Sequence, residues 1–335
     1  MTIKKAAGFW PVFAALIGNT FVTVIKFAAA FLSGSSVLFS EAIHSFADTL
    51  NQSLLAIGLR RSVKKPDEEY IYGYGRERFF WALISACGIF FLGAGVTIYK
   101  GITALLTKAE ISFTPIIFYV LILSFCIESI TLAIAVREIN RKHRRCDFRT
   151  KLQRCDPSTM AVLLEDSVAV FGVIIAFASV LLAQLTHRIY WDAVGSISIG
   201  VLLGFVAIVL IVKNRSYLIG RTIPPNLKEK IIEKLEADPA IEKVVSFKST
   251  VLDMGIYRIT CDIEFNGNFL MKEIFEKMDL REEFKEISGD YEEFKKFCVD
   301  FADRIPRLVG RRVDHIEKEI QKEIPSVKYI DIEIN

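Results

Sequence analysis

No two cysteines in this chain fall in CxxC spacing, and only four of its 335 residues are histidine. The six cysteines, Cys87, Cys126, Cys146, Cys155, Cys261 and Cys298, are scattered, and Cys87 and Cys126 lie inside apolar runs. Packed or free thiols are therefore favoured over a disulfide framework or a thiolate metal site. No alternation of apolar and polar residues with period two runs through the apolar segments, which excludes a porin-like barrel. The apolar run after Lys5 lacks a small-residue cleavage site and continues past Ala30, so it reads as a retained first span. There is no nucleophile–base pair, phosphate loop or paired metal-hydrolase motif, and the expectation is that the chain is not an enzyme.

What is present is apolar sequence. The composition is 52% apolar and the mean hydropathy is +0.37, values that move a chain of this length toward the membrane. The net charge of +3 is modest, and its distribution carries more. Residues 1–219 are long apolar runs separated by short basic loops, whereas residues 220–335 mix charged and apolar positions. A domain boundary is expected there.

A membrane-spanning helix needs about 20 largely apolar residues. Six segments qualify, near 9–33, 37–59, 79–106, 113–136, 158–186 and 192–218. In lipid the backbone must satisfy its own hydrogen bonds, so these are helices. Basic residues crowd alternate loops: Arg60, Arg61, Lys64, Lys65, Arg76 and Arg78 in one, and the stretch from Arg137 to Arg154 in another. The positive-inside rule then places both termini in the cytoplasm, and a cell membrane is the expected location. At that position the 137–154 loop reads as a topology signal touching anionic lipid, with no nucleic-acid partner expected.

Ionisable groups inside spans are costly and mark pathways or partnered sites. In the second span His44 and Asp48 stand four residues apart, on one helix face. In the fifth, Glu165 and Asp166 lie side by side. Imidazole with carboxylates is a ligand set for Zn²⁺ and similar divalent ions. His44, Asp48 and Asp166 supply three ligands. Glu165 points about 100° away from Asp166 on an ideal helix and joins if that helix rotates or bends. Water, Glu41, Asn19 or Asn51 are alternatives for the fourth place. Lys26, Glu128 and Asp192 are assigned to charge partnering, helix packing or the interface. Gly18, Gly88, Gly93, Gly95, Gly195 and Gly200 are expected to let helices approach closely.

The stretch Gly34 to Asp48 (GSSVLFSEAIHSFAD) resembles the second-helix signature of the cation diffusion facilitator family. Tyr72 to Arg78 (YGYGRER) is similar to that family's loop into the third helix. Val162 to Ser167 and Trp191 to Ser196 resemble its fifth helix and the start of its sixth. Within the family the zinc transporter 9 branch is the most similar. The resemblance implies a six-transmembrane-helix bundle, a homodimer, and export of Zn²⁺ or a related cation from the cytoplasm in exchange for protons. It also implies a central site of four residues, which by position are His44, Asp48, Val162 and Asp166. Val162 departs from that pattern because it cannot ligate. The divalent ion is cargo and no cofactor is expected, with Mn²⁺, Fe²⁺ and Co²⁺ as alternatives to Zn²⁺. Only His143 stands in the loop that is His-rich in many zinc-selective members.

Beyond Pro224, Leu227–Ala237 reads as an amphipathic helix, Val244–Leu252 and Ile256–Phe265 as strands around a turn at Asp253 to Gly255, Val313–Ile324 as a helix and Val327–Ile334 as a strand. The order αββαβ fits a two-layer α+β domain, and the resemblance implies a ferredoxin-like cytoplasmic domain. Residues 267–312 read as a helical, charged insertion whose Phe275, Phe284, Phe294, Phe297 and Phe301 form a packed face. His315 reads as solvated, and dimerisation is the expected role of the domain. The departure at Val162 motivates an alternative: a non-transporting membrane metal sensor or scaffold.

Overall fold

The computed structural model describes residues 9–33, 36–107, 115–142, 157–186, 190–276 and 279–335. It divides into two compact units, Met1–Ile219 and Gly220–Asn335.

The first unit is helical. Its elements are α1 (Phe9–Ser33), α2 (Ser36–Ser62), α3 (Glu77–Gly88), a π-helical segment Ile89–Gly95 that continues into α4 (Val96–Thr107), α5 (Pro115–Lys142), α6 (Pro157–Thr186) and α7 (Tyr190–Ile219). Pro115 and Pro157 open their helices, where a missing N–H costs nothing. One buried cluster joins Val12 near the start of α1, Leu59 near the end of α2, Ala82 in α3, Ile139 near the end of α5, Met160 at the start of α6 and Leu210 late in α7. Starts and ends therefore alternate at this end of the bundle, so successive helical runs point in opposite directions. Outward, Phe21, Phe31, Phe91, Leu106 and Phe205 are all more than half exposed, far more apolar surface than water tolerates. Among the described residues, three stretches are long and apolar enough to cross a membrane: Phe9–Ala28, Glu77–Leu106 and Ala193–Ile219.

Small residues set the closest helix contact. A Cβ added to Gly200 would lie 2.6 Å from Ile98 Cγ1 and 3.1 Å from its backbone nitrogen. One added to Gly101 would meet Ile197 Cγ1 at 2.7 Å and Ala193 O at 3.1 Å, so α4 and α7 pack antiparallel nearly backbone to backbone. A Cβ added to Gly195 would overlap Ser179 Oγ of α6. Gly93 and Gly95 do not share this role. Both fall in the π-helical segment and would meet their nearest neighbours at ordinary distances, 3.6 and 3.8 Å.

The α2–α3 loop is clipped shut. Lys64 Nζ donates to Asp67 Oδ2 (2.9 Å) and to Tyr74 Oη (2.7 Å), and Tyr74 Oη donates to Asp67 Oδ2 (2.7 Å). These donors, Tyr74 first, hold the Asp67 carboxyl down at about 2. Gly73 supplies the turn with φ of +80°, a left-handed conformation that favours glycine.

The second unit comprises α8 (Pro225–Glu236), β1 (Ile241–Asp253), β2 (Ile256–Phe265), α9 (Gly267–Phe275), α10 (Leu280–Ile287), α11 (Tyr291–Glu323) and β3 (Val327–Ile334). The sheet order is β1-β2-β3, with β1 antiparallel and β3 parallel to β2. Ile259, Cys261 and Ile263 alternate along β2, a period-two pattern that turns them to one face. There they are fully buried with Ile231 and Leu235 of α8 and Ile316 and Ile320 of α11. The result is a helix layer on a three-stranded sheet. Burial pushes the Cys261 thiol up to about 12.

The helical region after β2 does not end at residue 312. Helix α11 runs unbroken for 33 residues through Pro306, and its apolar stripe continues across the proline, with Phe301 and Ile305 before it and Leu308, Val309, Ile316 and Ile320 after it. The expected aromatic face is packed only in part. Phe275 and Phe297 stack on Phe301 at 6.0 and 5.8 Å, whereas Phe284 and Phe294 are 67% and 49% exposed.

Candidate metal and proton site

Two helices of the first unit bring acids together. Asp48 lies on α2, and Glu165 and Asp166 lie on α6. Asp166 is 3% exposed and stands within electrostatic reach of Asp48 and of Glu128 on α5, with Thr131 beside it. Glu165 is in turn within reach of Asp48 and Asp166. Gln52, one turn beyond Asp48, donates its Nε2 to Glu165 Oε2 and so ties α2 to α6. Asp166 Oδ2 and Glu165 Oε1 are buried and accept no hydrogen bond. Carboxylate oxygens left bare in a low-dielectric interior are unstable unless a cation or a proton joins them.

The sequence-derived candidates divide as follows. His44 lies on α2, but its side chain, like those of Glu41 and Asp192, is outside the described residues, as are His143, Cys146 and Cys155. Asp48, Glu165 and Asp166 share one neighbourhood. Among the described residues, however, no three His, Cys, Asp or Glu side chains stand close enough together to hold a metal ion. Val162 is 0% exposed within the apolar cluster, packed as hydrocarbon. Asn51 turns toward α3, its Oδ1 3.0 Å from where a Cβ on Gly88 would sit. Lys26 is buried and donates to Ser45 Oγ at 2.8 Å, which ties α1 to α2.

Two residues of this neighbourhood carried little signal in the sequence. Glu128, assigned from the sequence to charge partnering, helix packing or the interface, lies within electrostatic reach of Asp166, and Thr131 three residues later marks the same face. Gln52 falls near the His44–Asp48 face of α2 by sequence, four residues after Asp48. Its bond to Glu165 spans 113 residues of chain, which no local pattern reports.

The family model for the cation efflux transmembrane domain matches residues 12–219, the whole of the helical unit bar its first turn. The chain belongs to the cation efflux family. This is a family of membrane transporters, the cation diffusion facilitators, and its match covers the acidic cluster. The chain is 37% identical over 314 residues to the proton-coupled zinc antiporter SLC30A9, mitochondrial, of Homo sapiens, covering 92% of this chain and 55% of that protein. It is 36% identical over 328 residues to metal tolerance protein C4 of Arabidopsis thaliana, covering 95% of this chain and 72% of that one. This cation efflux protein thus spans about half the length of the human relative.

Proposed function

We propose that this protein moves a divalent cation, Zn²⁺ first, across a membrane in exchange for protons. The observation that carries the reading is the pair of bare, buried carboxylate oxygens on Glu165 and Asp166 facing Asp48 across two helices of a cation efflux bundle. Asp48, Asp166 and Glu165 hold the ion with His44, and all four atoms sets bind either metal or proton. Competition between the two for the same atoms couples their fluxes. The name of the human relative supports zinc and proton as the exchanged species, and that of the Arabidopsis relative supports a metal.

In this reading all six helical runs span the bilayer. Both termini are cytoplasmic, because the basic α2–α3 loop and the ends of α5 and α7 fall on one side. A cell membrane is the proposed location, although the human relative is named as mitochondrial. The second unit is a cytoplasmic ferredoxin-like domain that lacks one strand of the four-stranded form, and it serves a homodimer. The ion is cargo, and no separate cofactor enters the mechanism.

Zinc flux into proteoliposomes tests this, with Mn²⁺, Fe²⁺ and Co²⁺ as competitors. Asp48→Ala should abolish flux while the protein stays folded. Undiminished flux in that variant would remove Asp48 from the site. A second reading, a metal sensor or scaffold without transport, draws on Val162, which is buried as hydrocarbon where a ligand is expected. Zinc binding without flux in the unmodified protein would favour it.

A further inference from the structure

The hydrogen bond from Gln52 to Glu165 joins α2 to α6 within the acidic cluster. Gln52 is 1% exposed, so this bond forms away from water. Asp48 lies four residues earlier on the same face of α2. The amide has a second arm, and its Oε1 is buried without a hydrogen-bond partner. Leaving a buried acceptor bare costs about 1–3 kcal/mol, and a bare acceptor in a native fold points to an ion or donor that completes it. On α6, Val162 lies one turn before Asp166, on the face that Asp166 presents. A carboxylate there would give that face two ligands. With valine it has one.

We propose that Gln52 is a positioning residue of the transport site: its amide draws the Glu165 carboxylate around α6 to serve as the ligand that Val162 cannot supply. The inference rests on the reading of His44, Asp48, Asp166 and Glu165 as the site. Glu165 needs such a brace because on a regular helix its side chain leaves the helix about 100° from that of Asp166. A hydrogen bond to the far helix would hold the carboxylate toward α2 without a break in α6, which is continuous from Pro157 to Thr186. Metal sites elsewhere depend in the same way on groups that orient a ligand, and losing one lowers affinity about 10–100-fold.

The test measures zinc affinity and the KM for zinc flux on the full-length protein in lipid. Gln52→Met keeps the length of the side chain and removes both polar atoms. It should weaken zinc binding about 10–100-fold. Glu165→Gln should do the same, and the double variant should lose little more, because both changes remove one ligand. Val162→Asp introduced into either variant should restore affinity to within about threefold of the unmodified protein, since it supplies the missing carboxylate from another position. A brace that only held helices together would not be cured by that change. If Gln52→Met fails to fold, Glu165→Gln with and without Val162→Asp carries the same comparison. Wild-type affinity in Gln52→Met, additive losses in the double variant, or no rescue by Val162→Asp would overturn the proposal. Asp48→Ala separates the two levels. If it loses zinc while Gln52→Met does not, only the role of Gln52 fails. If neither loses zinc, the site itself is misplaced.

Discussion

The α4–α7 contact makes a prediction in which two opposing effects can be weighed. Replacing a helical glycine by alanine normally stabilises by about 1 kcal/mol, because the unfolded chain loses freedom and the helix gains propensity. At Gly200 the new Cβ would lie 2.6 Å from Ile98 Cγ1, 3.1 Å from Ile98 N and 3.3 Å from Ala94 O. The side chain can turn aside, but the two backbone atoms cannot move without separating the helices. Overpacking of this kind costs about 1–3 kcal/mol, so the clash outweighs the propensity. Gly204, one turn on, is the internal control. Its added Cβ would meet Ala94 Cβ at 3.5 Å, ordinary van der Waals contact, so the propensity gain is left unopposed. Gly200→Ala should therefore lower the Tm of the detergent-solubilised protein by a few degrees, at about 2–4 °C per kcal/mol. Gly204→Ala should leave it unchanged or raise it. Gly200→Leu should lower it further. Equal shifts of the same sign at both glycines would refute the close-packed geometry.

Other outcomes can be checked separately. Cys261, fully buried with its thiol at about 12, should resist maleimide until the second unit unfolds, whereas exposed Cys298 reacts at once; mass spectrometry of labelled peptides reads both. Ile259→Ala should destabilise the second unit by about 2–5 kcal/mol, seen as faster hydrogen exchange of β2 amides in the full chain. The Asp67 carboxyl is lowered in the folded loop, so its contribution is present above the ordinary carboxylate range and is lost as pH falls through about 2. A carbon-13 titration of Asp67 should show that midpoint in the native protein and a higher one in Tyr74→Phe/Lys64→Met, still below the ordinary value near 4 because Tyr70 N–H donates to the carboxylate in both.

How far the sequence alone reaches differs from element to element. The strands Ile256–Phe265 and Val327–Ile334 stand where alternation of apolar residues placed them, because a half-buried strand writes its period into the chain. The long apolar helices are equally plain, since outward-facing residues such as Phe91 and Phe205 are themselves apolar and leave no polar face to dilute the signal. Pro306 shows the limit. A proline ordinarily ends or kinks a helix, yet this one sits inside α11, between Ile305 and Leu308 of one packed cluster. The close-approach glycines show another limit: Gly93 and Gly95 were indistinguishable by sequence from Gly200, and only the partner helix tells them apart. At the site, acids inside apolar runs are conspicuous, so Asp48, Glu165 and Asp166 could be named. Gln52 could be placed near the same face, but its bond to Glu165 and the approach of Glu128 to Asp166 depend on neighbouring helices, and a contact across 113 residues leaves no local trace.

The central claim is that zinc and protons exchange at one set of carboxylates. Its most direct measurement is zinc movement in proteoliposomes across an imposed pH gradient, with a zinc-sensitive dye inside. An acidic lumen should drive zinc inward, an alkaline lumen should reverse the flow, and Asp166→Asn should remove both. Zinc flux indifferent to the sign of the gradient, or equal in Asp166→Asn, would contradict the account.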